Sequence, residues 1–107
     1  MKRGSIWWIN FDPAVGGEIQ KTRPAIIVCN NIAADKMNRV QVVPLTSNSQ
    51  SPFPGESYVQ VRENRGKALA HQLTTVSKKR LVSKIGTISD RELEDLENAI
   101  KLQLGLG

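Results

Sequence analysis

Residues 21–29 read KTRPAIIVC, an arginine and a proline at the mouth of an apolar run. Residues 23–30, RPAIIVCN, have the make-up of a buried strand, with Pro24 tolerated at its first position. The charge is the puzzle. Arg23 is either a solvated group at the edge of a core strand, or the group that the strand exists to hold still.

Outward from that strand, short β patterns alternate with turn chemistry. GSIWWINF (4–11) carries two apolar sets, Ile6/Trp8 and Trp7/Ile9/Phe11, and predicts a strand covered on both faces. DPAVGGEIQKT (12–22) is a long, glycine-containing loop joining the two. NIAADKMN (31–38) reads as a polar connection, and RVQVVPLTS (39–47) as a strand in which Pro44 implies a bulge or a sheet edge. NSQSPFPGE (48–56) is turn chemistry again. SYVQVR (57–62) and KALAHQLTTV (67–76) alternate like half-buried strands about an ENRG turn at 63–66. SKKRL (77–81) suits one helical turn capped by Ser77, and VSKIGTI (82–88) a last strand.

The C-terminal segment is helical. Ser89 and Glu92 make an S-x-x-E capping box, while Asp90 and Glu92 suit the positive end of the helix dipole. Leu93, Leu96, Ile100 and Leu104 share one face, and Gly105 stops the helix. Five or six short strands with one terminal helix predict a mainly β (α+β) fold. Its form would be a small, curved, mostly antiparallel sheet or partial barrel, as a single domain over residues 1–107.

The 107 residues are 39% apolar, enough for one modest core and not for two. No stretch reaches the length of a membrane span, and MKRGSIWW lacks the apolar region and cleavage site of a leader, so a cytoplasmic protein is expected. Cys29 is the only cysteine, so no internal disulfide can form, and its apolar neighbours point to a buried, inert thiol. The net charge of +5 is unevenly spread. Residues 1–88 hold thirteen Lys/Arg against five Asp/Glu, and residues 89–107 hold two against five. Such a basic body fits a polyanion or an acidic protein partner, or else ordinary solubility charge.

Several chemistries drop out. One His and one Cys cannot build a zinc site of the usual kind, so no metal is expected. The chain has neither a Walker-type phosphate loop nor a G-x-G-x-x-G fingerprint, so no nucleotide cofactor is expected. A Ser-His-Asp hydrolase would have to use His71, but no serine sits in a G-x-S-x-G elbow. What remains is Arg23, Thr46 in VVPLTSN, Gly16-Gly17-Glu18, and His71 between Ala70 and Gln72. Taken singly, each has a plain structural reading: a strand-end charge, a β-former, a turn, a strand histidine. Trp7 and Trp8 likewise read as core or dimer packing rather than as a stacking platform.

The order of the pieces says more than any one of them. RGSIWWINFDPAVGGEIQKTRPAIIVCNN, then VVPLTS, then AHQLTTVSKKRLVSKIGTISDRELEDLENAIKLQLGL resembles the MazF/PemK family of toxin endoribonucleases over nearly the whole chain. That family couples an R-G dipeptide, a tryptophan, a D-P-x-x-G-S-E loop and an R-P dipeptide in its first block. The resemblance implies a compact SH3-like, mostly antiparallel β-barrel that forms homodimers. It further implies metal-independent cleavage of single-stranded RNA through the ribose 2′-OH, giving a 2′,3′-cyclic phosphate and a 5′-OH. The partners implied are RNA and an antitoxin with an acidic, disordered tail.

By the same resemblance Arg23 and Thr46 are the catalytic pair, and Gly17, Glu18, Lys21, Ser47 and Gln72 are positions that meet RNA. The chemistry agrees. Attack by a 2′-OH builds negative charge on the phosphorane oxygens, where a planar guanidinium and a hydroxyl supply donors. Arginine stays protonated and cannot serve as the base.

The chain departs from the family pattern in three places. Gly17 stands where a serine is usual, His71 where an Asp or Glu precedes the glutamine, and Leu73-Thr74-Thr75 where a cation is usual. Imidazole can take the 2′-OH proton, which makes His71 a candidate base, with Glu18 as the alternative. Two other functions compete: a CcdB-like gyrase poison that performs no chemistry, and an RNA-binding module of the same fold that has lost cleavage.

Overall fold

The computed structural model describes residues 1–13, 15–18, 20–47 and 56–107. Strands β1 (Ser5–Asn10) and β2 (Thr22–Ile27) lead into a short helix α1 (Asn31–Lys36), then β3 (Arg39–Thr46), β4 (Glu56–Val61) and β5 (Asn64–Leu69). A 3-10 turn (Ala70–Gln72), β6 (Thr74–Ser77), a second 3-10 turn (Lys78–Arg80), β7 (Leu81–Thr87) and helix α2 (Asp90–Leu104) complete the chain. The strands run in the order β4-β5-β3-β2-β1-β7, with β6 also on β3, and each pairing is antiparallel. The result is a curled half-barrel closed at one end by α2, as the sequence predicts. Among the described residues no helix is long and apolar enough to cross a membrane. The turn chemistry at 48–56 lies, apart from Glu56, outside the described residues.

One expectation fails at the core. The apolar residues divide into two clusters, one on each face of the sheet. Ile6, Ile26, Val43, Leu45 and Val59 pack with Leu96 of α2. Ile9, Phe11, Ala25, Ile27, Val40 and Val42 pack with Ala34 of α1. Strand alternation produces the division, because neighbouring residues in β1, β2 and β3 point to opposite faces. The paired apolar sets in GSIWWINF foretell it, with one exception: Trp8, on the Ile6 side, remains 38% exposed.

Four local readings also need correction. Residues 31–38 are not merely a connection, since Asn30 caps α1 by accepting a hydrogen bond from Ala33 N–H at 2.8 Å. Residues 67–76 are not one strand, because the 3-10 turn at Ala70–Gln72 separates β5 from β6. The β4–β5 turn is not at 63–66. Val61 pairs with Asn64, so the loop is Arg62-Glu63 and Gly66 lies inside β5. Thiol burial is partial, with Cys29 only half-buried.

The two prolines have a shared consequence. Val28 N–H donates to Gln41 O at 3.0 Å, which identifies these two residues as a hydrogen-bonded pair between β2 and β3. Alternation then turns Ala25 and Pro44 away from each other's strand and makes residues 24 and 45 the next bonded pair. Pro44 is therefore at neither a bulge nor an edge. Its nitrogen faces the gap where β3 leaves β6, at Val42↔Thr74, and takes up β5, at Leu45↔Ala68. Pro24 is the residue that should donate to β3, and it has no N–H. The β2–β3 ladder stops at Ala25↔Pro44, whereas β2 stays paired with β1 as far as Thr22.

The capping box of α2 forms as expected. Ser89 Oγ accepts from Glu92 N–H at 3.1 Å, and Glu92 Oε1 accepts from Ser89 N–H at 2.9 Å. Gly105 ends the helix at φ 70°, in the left-handed region that glycine occupies without a Cβ penalty. Of the expected apolar face, Leu96 is buried and Leu93 and Ile100 pack against the core, but Leu104 is exposed. The other carboxylate oxygen of Glu92 accepts from Gln60 N–H at 2.6 Å, which ties α2 to strand β4. Burial alone would raise this carboxyl's pKa. The hydrogen bonds from Ser89 N–H, Gln60 N–H and the Ser89 side chain outweigh it and hold the pKa below the ordinary carboxylate value.

Candidate functional site

Two residues beyond the last β2–β3 pair on each strand stand Arg23 and Thr46. Continuing the register sets them opposite one another, just past the rung from which Pro24 withholds one hydrogen-bond donor. Arg23 is paired through its backbone with Ile9 of β1, so the strand end is fixed from the other side. Its Nε donates to Gln20 O at 3.0 Å, using one of five guanidinium donors and fixing the plane of the fork. Thr46 is paired on its other side with Lys67 of β5, a cation only 4% exposed.

Arg23 and Thr46 line a cleft of about 650 Å³ together with Lys21 and Ser47. The structure thus brings together four residues that sequence reading singled out. It adds others that sequence reading missed: Arg62 and Arg65 from the β4–β5 hairpin, with Trp8 from β1. Four cations line one cleft, and this is where the excess of base in residues 1–88 gathers. Arg65 lies over the Tyr58 ring, its guanidinium carbon 3.7 Å from the ring centre. Arg62 opens the hairpin loop and Arg65 lies just past it, and a hydrophilic turn next to a glycine gives no warning that its arginines line a site.

Backbone strain collects at the same place. Among the described residues only Lys21 (φ 67°) and Arg62 (φ 54°) hold a left-handed conformation without being glycine, and both line this cleft. Each such residue costs about 1 kcal/mol. At Lys21 the cost is offset locally. Asp12 Oδ1 accepts from Lys21 N–H at 2.8 Å, and Phe11 N–H donates to Lys21 O at 2.9 Å. Arg80 clamps the base of the same loop, with Nη1 donating to Asn10 O at 3.1 Å and to Asp12 O.

The remaining candidates fall elsewhere. His71 and Gln72 line a second cleft, of about 330 Å³, with Glu18, Thr74 and Arg80. His71 is exposed on the 3-10 turn rather than placed in a strand. Gln72 Nε2 donates to Gly17 O at 3.3 Å, so the glycine loop and the 3-10 turn meet here. Glu18 Oε1 accepts from Val15 N–H at 2.8 Å, which holds its carboxylate within the loop. Strand alternation puts Arg23 and Thr46 on the face of Ala25 and Val42, the side to which Phe11 and Val76 of this second cleft also belong. The pair therefore shares a sheet face with two residues of the second cleft. Among the described residues no three His, Cys, Asp or Glu side chains stand together as a metal site would require.

With this geometry in place, likeness to known proteins has a structural meaning. Residues 2–104 match the family described as PemK-like, MazF-like toxin of type II toxin-antitoxin system. The chain is 36% identical to Endoribonuclease MazF9 of Mycobacterium tuberculosis, over 99% of this chain and 98% of that protein. It is 30% identical to Endoribonuclease toxin MazF of Escherichia coli, over 95% and 92% respectively. In fold it is similar to MazF from Deinococcus radiodurans, with a TM-score of 0.87 over 98% of this chain and 96% of that one at 21% identity. It is also similar to a mycobacterial endoribonuclease solved in complex with its cognate antitoxin, with a TM-score of 0.84 over 100% of this chain and 97% of that one at 20% identity. The match over residues 2–104 and the full-length identity lead to one assignment: the chain belongs to the PemK-like, MazF-like toxin family of type II toxin–antitoxin systems.

Proposed function

We propose that this chain is the toxin endoribonuclease of a toxin–antitoxin pair and that it cuts single-stranded RNA at short sequences without a metal. The observation that carries the proposal is the opposition of Arg23 and Thr46 across the unbonded end of the β2–β3 ladder, in a cleft lined by four cations. In the reaction the ribose 2′-oxygen attacks the adjacent phosphorus as its proton passes to a base. The P–O5′ bond then breaks, and the 5′-oxygen takes up a proton. The products are a 2′,3′-cyclic phosphate and a 5′-OH. Arg23 stabilises the charge that develops on the phosphorane and on the departing 5′-oxygen, and the Thr46 hydroxyl adds one further donor. Such groups act only if held to within a fraction of an ångström, which explains their place on paired strands.

The base comes from the second cleft, where His71 and Glu18 are the titratable candidates. The His71 imidazole is the first candidate, and the carboxylate of Glu18, which accepts from the Val15 N–H, is the alternative. Gly17, Lys21, Ser47 and Gln72 contact the RNA on either side of the scissile phosphate. The chain acts as a homodimer, for which the exposed apolar side chains of Val82, Leu102 and Leu104 supply surface to bury. An acidic, disordered antitoxin tail neutralises the toxin by folding onto the same cationic cleft. RNA and antitoxin therefore exclude one another.

The deciding experiment is to incubate the purified protein with a long RNA in EDTA and map new 5′-OH ends. Such ends at recurring short sequences support the proposal. RNA that is bound but intact supports a module that has lost cleavage, and neither binding nor cleavage supports a gyrase-directed poison.

A further inference from the structure

We infer that the β4–β5 hairpin is a second RNA-binding arm of the cleft. In this arm Arg62 and Arg65 take backbone phosphates of nucleotides flanking the scissile one, and Trp8 stacks on a base. The inference rests on the nuclease reading of Arg23 and Thr46, whose cleft these three residues share.

Arg62 occupies the first position of a two-residue hairpin loop at φ 54°, where glycine would carry no strain. A long cation is held there against the preference of the backbone. Strain of this kind is found where a side chain has a task. Arg65 lies two residues past the loop with its guanidinium carbon over the Tyr58 ring, 3.7 Å from its centre. A stacked guanidinium keeps its N–H donors in the plane, directed sideways, which is the geometry that meets a phosphate. The ring also limits the rotamers that Arg65 would lose on binding, so less entropy opposes the contact.

The aromatic partner is Trp8. Its neighbour Trp7 belongs to the core, with Nε1 donating to Ser5 Oγ at 3.1 Å, whereas Trp8 lines the cleft and is 38% exposed. Cations alternating with an open indole face form the combination that single-stranded nucleic acid uses, charge for the backbone and a π surface for the base. An acidic peptide would engage the arginines but gain little from the indole. The observations therefore favour RNA over the antitoxin as occupant of this arm.

Binding of labelled 2′-O-methyl oligouridylates of 4 and 12 nucleotides tests this, because the 2′-O-methyl group prevents cleavage. The parent protein should bind the 12-mer more tightly than the 4-mer. The Arg62→Ala/Arg65→Ala variant should lose most of that gain, and its slope of log affinity against log salt should be shallower by about 1.4, the value for two phosphates of a single strand. Trp8→Ala should lose roughly fivefold or more in affinity and leave the slope unchanged, since stacking carries no charge. Tyr58→Leu should fall between the parent and the double variant. Unchanged length dependence and slope in the double variant would overturn the inference. So would an intact RNA gain accompanied by loss of binding to a polyglutamate probe, which would make the arm a surface for an acidic protein. The readout is binding, so it stands apart from the nuclease reading: length-dependent binding with no 5′-OH ends in the cleavage assay would sink that reading alone.

Discussion

The two clefts hold different kinds of charge. The one around Arg23 and Thr46 is lined by three arginines and a lysine, and its central pair is fixed by strands. The one around His71 holds a histidine and a carboxylate beside Arg80, and is bounded by a 3-10 turn and a loop. Permanent charge suits the stabilisation of a phosphorane, and titratable groups suit proton transfer. A reaction that needs both would draw on both clefts. The difference also teaches why one half of the site is rigid. Charge stabilisation depends on distance throughout the reaction, whereas a base must reach its proton only once.

The largest test strikes the rigid side. Arg23→Ala and Thr46→Ala should each lower kcat/KM for RNA cleavage about 100-fold or more, the effect of losing one oxyanion donor, with Tm nearly unchanged for Thr46→Ala. Arg23→Lys should fail as well, because a point charge does not reproduce the planar fork. Cleavage by these variants at the parental rate would erase the distinction between the clefts.

The next test strikes the titratable side. If imidazole is the base, kcat/KM rises with pH through a single ionisation, and His71→Ala both lowers it by up to about 100-fold and abolishes that limb. A limb that survives in His71→Ala and disappears in Glu18→Gln would transfer the role to Glu18. Arg23→Ala should lower the whole profile without changing its shape.

The smallest effect is expected outside both clefts. Ser89→Ala removes one half of the α2 capping box and should cost about 1 kcal/mol, or roughly 5 °C in Tm. Glu92 supplies the other half. Its folded pKa lies below the unfolded one, so its contribution is complete above the unfolded pKa and fades as pH falls through the folded value. The Tm difference between the parent and Glu92→Gln should therefore shrink in acid, below about pH 4.5. A difference that holds constant with pH would assign the effect to packing instead.

Much of this molecule was legible in its sequence, and the limits have identifiable causes. The terminal helix, its capping box and its glycine stop are local events, fixed by residues within one turn of each other. Strand alternation gave the two faces of β1. The helix α1 was missed because six residues leave little room for an apolar period. The hairpin turn was misplaced because Gly66 drew it two residues too far, when the left-handed position is held by Arg62. Resemblance supplied Arg23 and Thr46. It gave no hint of Arg62, Arg65 or Trp8, which reach the cleft because β5 pairs with β3 and β1 with β2, between residues far apart in the chain.

Pro24 has a meaning beyond its place in the strand. By withholding a donor it keeps β2 and β3 from zipping shut at the point where Arg23 faces Thr46. Pro24→Ala would return that donor, and the ladder could gain a rung. Such a variant should withstand heat at least as well as the parent, offset only by the greater freedom of its unfolded chain, and should cleave RNA less well. If so, this toxin gives up part of its own stability to remain open to its substrate, and selection for robustness alone would tend to disarm it.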